Sequence, residues 1–157
     1  MSAEDGSDAL ELAIAEVVKV IKTVPNVGNV QDHVAYVNDE AKFKTLFVND
    51  ATTDVRFWNV TRENTDSADV KVRTNKDLHN LLIRGYMSVV EDNASEKTFR
   101  ILIEQVRAAL KVNRKLNGTV FFSGPTKVRT QTSGTIGSVL VHYCELVHQV
   151  VVYPINY

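Results

Sequence analysis

The order of hydrophobic patterns predicts an α+β fold, with two main helices packed on one face of a largely antiparallel β-sheet. Three observations lead there. Apolar residues recur at helical spacing in two well-separated segments. Runs of β-branched and aromatic residues follow one another directly, without the regular alternation of βαβ units. The chain has 157 residues, most simply a single domain over residues 1–157, and a chain of that length buries about 69% of its unfolded surface on folding.

Residues 1–7 are small and polar and are expected to fray. From Asp8 onward, Leu10, Ile14, Val17, Val18 and Ile21 form one helical stripe that Pro25 terminates, with Ser7 or Asp8 as the capping residue. Asp39 is placed to cap a short second helix, in which Phe43, Leu46 and Phe47 share a face. The run DVRFWNVTRE, residues 54–63, reads as a strand. Val55 and Phe57 point to one side and Trp58 and Val60 to the other, so both faces need cover. Residues 63–77 are apolar only at Ala68, Val70 and Val72, which predicts a long exposed loop. A second strand, LHNLLIRGYMSV, covers residues 78–89.

Asn93 and Glu96 have capping-box spacing at the head of a helix through residue 112, whose stripe is Phe99, Leu102, Ile103, Val106 and Leu110. Leu116-Asn117-Gly118 supplies a left-handed stop. The remainder reads as β: residues 119–123, a turn at Gly124-Pro125, residues 126–132, a turn at Ser133-Gly134, and a last strand over 138–153. Strands usually run about five or six residues. One this long bends or pairs with a neighbouring chain, a first hint of an oligomer.

Eighteen Lys and Arg against nineteen Asp and Glu leave a net charge of −1, which argues against whole-surface attraction to nucleic acid or anionic membrane. The single cysteine, Cys144, excludes an intrachain disulfide and a multi-cysteine zinc site. The opening residues are acidic and lack the basic start of a secretion signal, and no apolar run reaches the ~18 residues of a membrane span. The expectation is a protein folded in a reducing cytoplasm.

His142, Cys144 and His148 share strand parity, so imidazole and thiolate donors fall on one face. Leu140, Leu146, Val150 and Val152 lie on that face too, and Cys144 and His148 are about 13 Å apart along a strand. Structural histidines and a structural cysteine are the stronger reading. SGTIGS, residues 133–138, precedes a strand and offers no helix N-terminus to a phosphate. Glu91, Asp92 and Glu96 cluster where a helix start favours carboxylates. Arg56, Arg62, Lys71, Arg73 and Lys76 are interrupted by Asp66, Asp69 and Asp77, the pattern of a solvated mixed-sign face. No nucleophile elbow, zinc-binding helix or P-loop occurs. The expectation is a non-enzyme with no catalytic residue, cofactor or metal.

Five segments carry a resemblance: FKTLFV with Phe43 and Phe47; Trp58, Thr61 and Arg62 as W-x-x-T-R; Ile83–Tyr86 as I-R-G-Y; Ser95–Phe99 as S-E-K-x-F; and His142–Leu146 within VLVHYCEL. Over residues 30–148 the chain resembles a family of small structural proteins of tailed bacteriophages, most like the tail terminators at the tail-to-head junction. The resemblance implies a homo-oligomeric ring, commonly of six subunits, that caps the tail tube, ends its growth and joins it to the head or neck. The implied partners are the tail tube protein, a neck or connector protein and the tail sheath. DNA passes through the channel without specific binding, no membrane is involved, and the protein resides in the virion after assembly in the bacterial host. VVVYPINY, residues 150–157, runs beyond the family's usual last strand. Residues 63–76 or the hairpin 126–138 are expected to reach a neighbouring subunit, with Arg62, Arg73 and Arg129 making charged contacts there. The competing readings are another neck or connector protein, or a small α+β enzyme or ligand-binding domain.

Overall fold

The computed structural model describes residues 6–34, 55–71, 74–89, 94–136 and 139–153. Helix α1 spans Gly6–Lys22 and leads through a turn to a three-residue strand β1, Asn29–Gln31. Strands β2, Arg56–Lys71, and β3, Thr74–Ser88, form one long hairpin. Helix α2 spans Ser95–Val112, and strands β4, Phe122–Ile136, and β5, Val139–Val152, form a second hairpin. The five strands make one sheet in the order β1-β2-β3-β5-β4. Every pairing is antiparallel except β1 with β2, which is parallel. The α+β class expected from sequence is the class observed.

Both stripes are buried as their spacing requires. Ala13, Ile14, Val17 and Ile21 of α1 and Phe99, Ile103, Val106 and Leu110 of α2 pack with Trp58, Val60, Leu81, Ile83, Cys144, Leu146 and Val150 of the sheet. Non-directional burial of this apolar face is the main driving force for docking the helices. A smaller cluster of Val55, Phe57 and Val141, with Tyr86 against it, lies on the other face of the sheet. Strand β2 is therefore covered on both sides, as its double apolar pattern requires.

Several expectations need correction. Residues 63–77 are not a loop: the described part is the outer half of the β2–β3 hairpin, paired from Asn64 with Asn80 to Lys71 with Thr74. Arg62–Asn64 and Asp66–Asp69 are exposed there, so the polar composition reflects a strand wetted on its surface, not an absence of pairing. A bulge at Glu63 shifts the side-chain parity, bringing Thr65 onto the face that Trp58 and Val60 occupy further back.

The two turn signals after α2 also fail to break the chain. Gly124-Pro125 lies inside β4 at a bulge between Ser123 and Thr126, with Gly124 at φ 92°. A bulge frees the proline from any ladder hydrogen bond, and β4 is an edge strand, where proline is tolerated. Ser133 and Gly134 stay in register opposite His142 and Val141, because β5 offers them a continuous partner. Three predicted strands after α2 thus become two.

At the helix ends, α1 begins at Gly6, ahead of the caps expected at Ser7 or Asp8 and inside the segment expected to fray. The N-cap of α2 is Ala94 in the left-handed region, with no side-chain cap; Glu96 turns instead to Gln131 of β4 at 3.0 Å and Arg100 at 3.4 Å. The stop after α2 is as read, with Leu116, Asn117 and Gly118 at successive φ values of 46°, 56° and 79°. Asn93 and the short helix expected around Phe43, Leu46 and Phe47 lie outside the described residues.

Candidate functional site

Four of the five segments that carry the resemblance meet at the centre of the sheet; the fifth, FKTLFV, lies outside the described residues. Trp58 on β2, Gly85 on β3 and Cys144 on β5 are directly opposite one another in register. Gly85 has no Cβ because there is no space for one: an added Cβ would stand 2.5 Å from Trp58 Cζ3. The wholly buried indole lies over the glycine and meets the Phe99 ring of α2, centroids 6.2 Å apart. Phe99 in turn stacks on the His142 imidazole at 5.8 Å, and His142 Nε2 is hydrogen-bonded to Ser95 Oγ at 2.8 Å. Residues 58, 85, 95, 99 and 142 thereby form one contiguous contact. It seats the first turn of α2 on the sheet.

The next register step builds the opposite face. Phe57, Tyr86 and Tyr143 stand side by side, with centroids 6.0 Å apart for Phe57–Tyr86 and 5.1 Å for Tyr86–Tyr143. The Tyr143 hydroxyl donates to Glu145 Oε2 at 2.9 Å, and burial with that hydrogen bond pushes its phenol up to about 12. These motif residues are packing elements on both sides of one sheet.

The His142, Cys144 and His148 face is core, not a ligand set, except at Leu140, which was expected there and is 48% exposed near the start of β5, beyond the helix-covered part of the sheet. Cys144 is 0% exposed, and burial pushes its thiol up to about 12, far from a reactive thiolate. Each buried imidazole engages a hydroxyl: His142 with Ser95, His148 Nδ1 with Thr126 Oγ1 at 2.8 Å, and His79 Nδ1 with Thr65 Oγ1 at 2.6 Å. Desolvation lowers the pKa of all three, that of His148 to about 4. Among the described residues, no group of three or more His, Cys, Asp or Glu side chains is placed to hold a metal ion. No helix among them is long and apolar enough to cross a membrane.

Two of the three arginines offered as interface residues, Arg62 and Arg129, are among the described residues. Arg62 is exposed beside the β2 bulge, Arg129 occupies the β4 bulge, and Arg73 lies outside the described residues. Arg129 Nη1 pairs with Glu63 Oε1 of the same chain, a bond between two bulge residues with β3 and β5 lying between their strands. A flat sheet would set those strands about 14 Å apart. An extended arginine and an extended glutamate together span a gap of that size, so the pair links the two bulges across β3 and β5.

Sequence reasoning missed a cleft of about 380 Å³ between the last turns of α2 and the start of β4. Its walls include Glu104, Arg107, Lys111, Arg114, Thr126 and His148. Arg107 Nη1 is held by both Glu104 oxygens, at 2.7 and 2.9 Å, and its Nε donates to the Thr126 carbonyl at 3.0 Å. Arg114 sits over the Phe122 ring, 5.3 Å from its centroid. Arg107 and Lys111 are at i and i+4 on α2, and Arg114 follows in the turn after the helix.

No family model matches the sequence, and no curated protein does. Among solved structures, the chain is similar to one described as "Virion of native gene transfer agent (GTA) particle". The two share 11% identity over 94% of this chain and 96% of that one, with a TM-score of 0.40. A likeness at that level decides neither fold nor role.

Proposed function

We propose that the chain is a structural protein of a phage-like virion, a tail-terminator-type subunit. It forms a homo-oligomeric ring that caps the tail tube, ends its growth and joins it to the neck. The observation that carries this reading is the convergence of the motif residues. Trp58, Gly85, Ser95, Phe99 and His142 are spread over four segments of sequence, and all meet in one packing cluster. A pattern whose residues fix the seat of a helix on a sheet is what a purely structural family would retain, and the reading gives the chain no catalytic chemistry.

The two long hairpins, β2–β3 and β4–β5, supply two different sets of exposed strand residues, and a head-to-tail ring needs two different patches on each subunit. In this reading Arg62 of β2, together with Arg73, contacts a neighbouring subunit, whereas Arg129 pairs with Glu63 of its own chain. Exposed charged pairs are individually weak, so the ring completes itself on the tube. Charge reversal at Arg62 and Arg73 tests this. The variant should melt normally, while particles built with it carry tails of uncontrolled length or tails that fail to join heads. Tails of normal length that join heads normally would remove the hairpin from the interface.

A further inference from the structure

The cleft between α2 and β4 has features that packing alone does not explain. Three cations line it against one carboxylate, and that carboxylate, Glu104, is committed to Arg107. Among the described residues, no acidic side chain pairs with Lys111 or Arg114. Lys111, exposed in the last turn of α2, and Arg114, half-buried just after it, therefore border the cleft with no carboxylate partner, beside the partial negative charge of the helix C-terminus. The cation–π contact with Phe122 holds the Arg114 guanidinium in place without neutralising it.

Within the cleft, His148 is 1% exposed, and its Nε2 is buried with no hydrogen-bond partner. Buried polar atoms ordinarily find partners, so an orphan imidazole nitrogen beside a cavity calls for one. Thr126 Oγ1 engages Nδ1, and when that hydroxyl donates, Nε2 carries the ring's only N–H and becomes a donor. The backbone keeps the space open. A Cβ at Gly124, whose φ is 92°, would lie 3.7 Å from His148 Cε1 and 3.8 Å from Arg114 Nη1, between the two. A neutral imidazole donor beside two cations with no carboxylate partner suits an acceptor-only ligand with two negative charges.

We propose that this cleft is a binding site for a small dianionic oxyacid, a phosphate or a dicarboxylate, gripped by Lys111 and Arg114 against the imidazole of His148. The site stands whether or not the chain forms a tail ring. It is distinct from the motif cluster, which lies at the other end of α2.

The test is an NMR titration of the full chain with inorganic phosphate and, in parallel, with glutarate, at constant ionic strength with chloride as the reference salt. The expected result is saturable shifts confined to the His148 imidazole and the Arg114 side chain, with at least one of the two anions. Saturation by phosphate alone assigns a tetrahedral oxyanion, and saturation by glutarate alone assigns a dicarboxylate. Lys111→Gln with Arg114→Gln should weaken binding about tenfold or more with melting unchanged. If that pair unfolds, Lys111→Gln alone at its exposed position serves. Shifts that rise linearly with both anions, or that persist unchanged in the variant, would overturn the proposal.

Discussion

Replacing Gly85 by Ala tests whether the glycine of I-R-G-Y exists to receive Trp58. The new Cβ would lie 2.5, 2.7 and 2.8 Å from Cζ3, Cη2 and Cε3 of the indole, where ordinary contact begins at 3.4 Å. The ring would have to retreat by roughly 1 Å, but it is wholly buried and backed by Phe99. Overpacking of this kind costs about 1–3 kcal/mol, and three simultaneous overlaps argue for the upper end. Alanine recovers about 0.5–1 kcal/mol of backbone entropy relative to glycine in a strand. The net expectation is a loss of roughly 2 kcal/mol. Urea unfolding followed by circular dichroism measures it, and fluorescence reports the same site because Trp58 is the only tryptophan. In a Trp58→Phe background the overlapping ring atoms are absent, so the cost of Gly85→Ala should fall by more than about 1 kcal/mol. An unchanged or raised stability in the Trp58 background would refute the reasoning, as would an equal cost in both backgrounds.

Other outcomes follow from the same contacts. Phe99→Ala removes a wholly buried ring that touches both Trp58 and His142, and should cost about 3–5 kcal/mol in denaturant melts. The buried histidines are neutral in the fold, whereas the unfolded chain takes up protons near 6.5, so stability complete above that pH is lost as pH falls. His148, held at about 4, accounts for roughly 2–4 kcal/mol of that loss between pH 6.5 and 4, and His148→Gln should flatten the melting profile across that window. Cys144 should resist thiol reagents in the native state, with labelling limited by unfolding, and Cys144→Ala should cost about 1 kcal/mol while sparing assembly.

The sequence was most legible where burial is one-sided and periodic. The α1 and α2 stripes, the two-sided strand at Trp58 and the final strand at 139–152 all follow from apolar spacing. It was least legible where a strand leaves the core. Residues 62–69 carry no apolar alternation because nothing in that stretch of hairpin packs on a helix, yet β3 still pairs with them. Gly124-Pro125 and Ser133-Gly134 are turn signals that long-range pairing with β5 overrode, one by way of a bulge. Of the site residues, the roles of His142, Cys144 and His148 as core were readable from parity. The Arg129–Glu63 pair was not, because it joins bulge residues of two strands that the sheet order sets apart. Nor was the cleft, since Thr126 and His148 reach it only through the fold.

The most direct test of the ring reading is native mass spectrometry of the purified chain, alone and mixed with preassembled tail tubes of the same virion. The account predicts monomers or small oligomers in isolation, and a closed ring, commonly of six subunits, bound at the tube end. A chain that stays monomeric and unbound when tubes are present would contradict it.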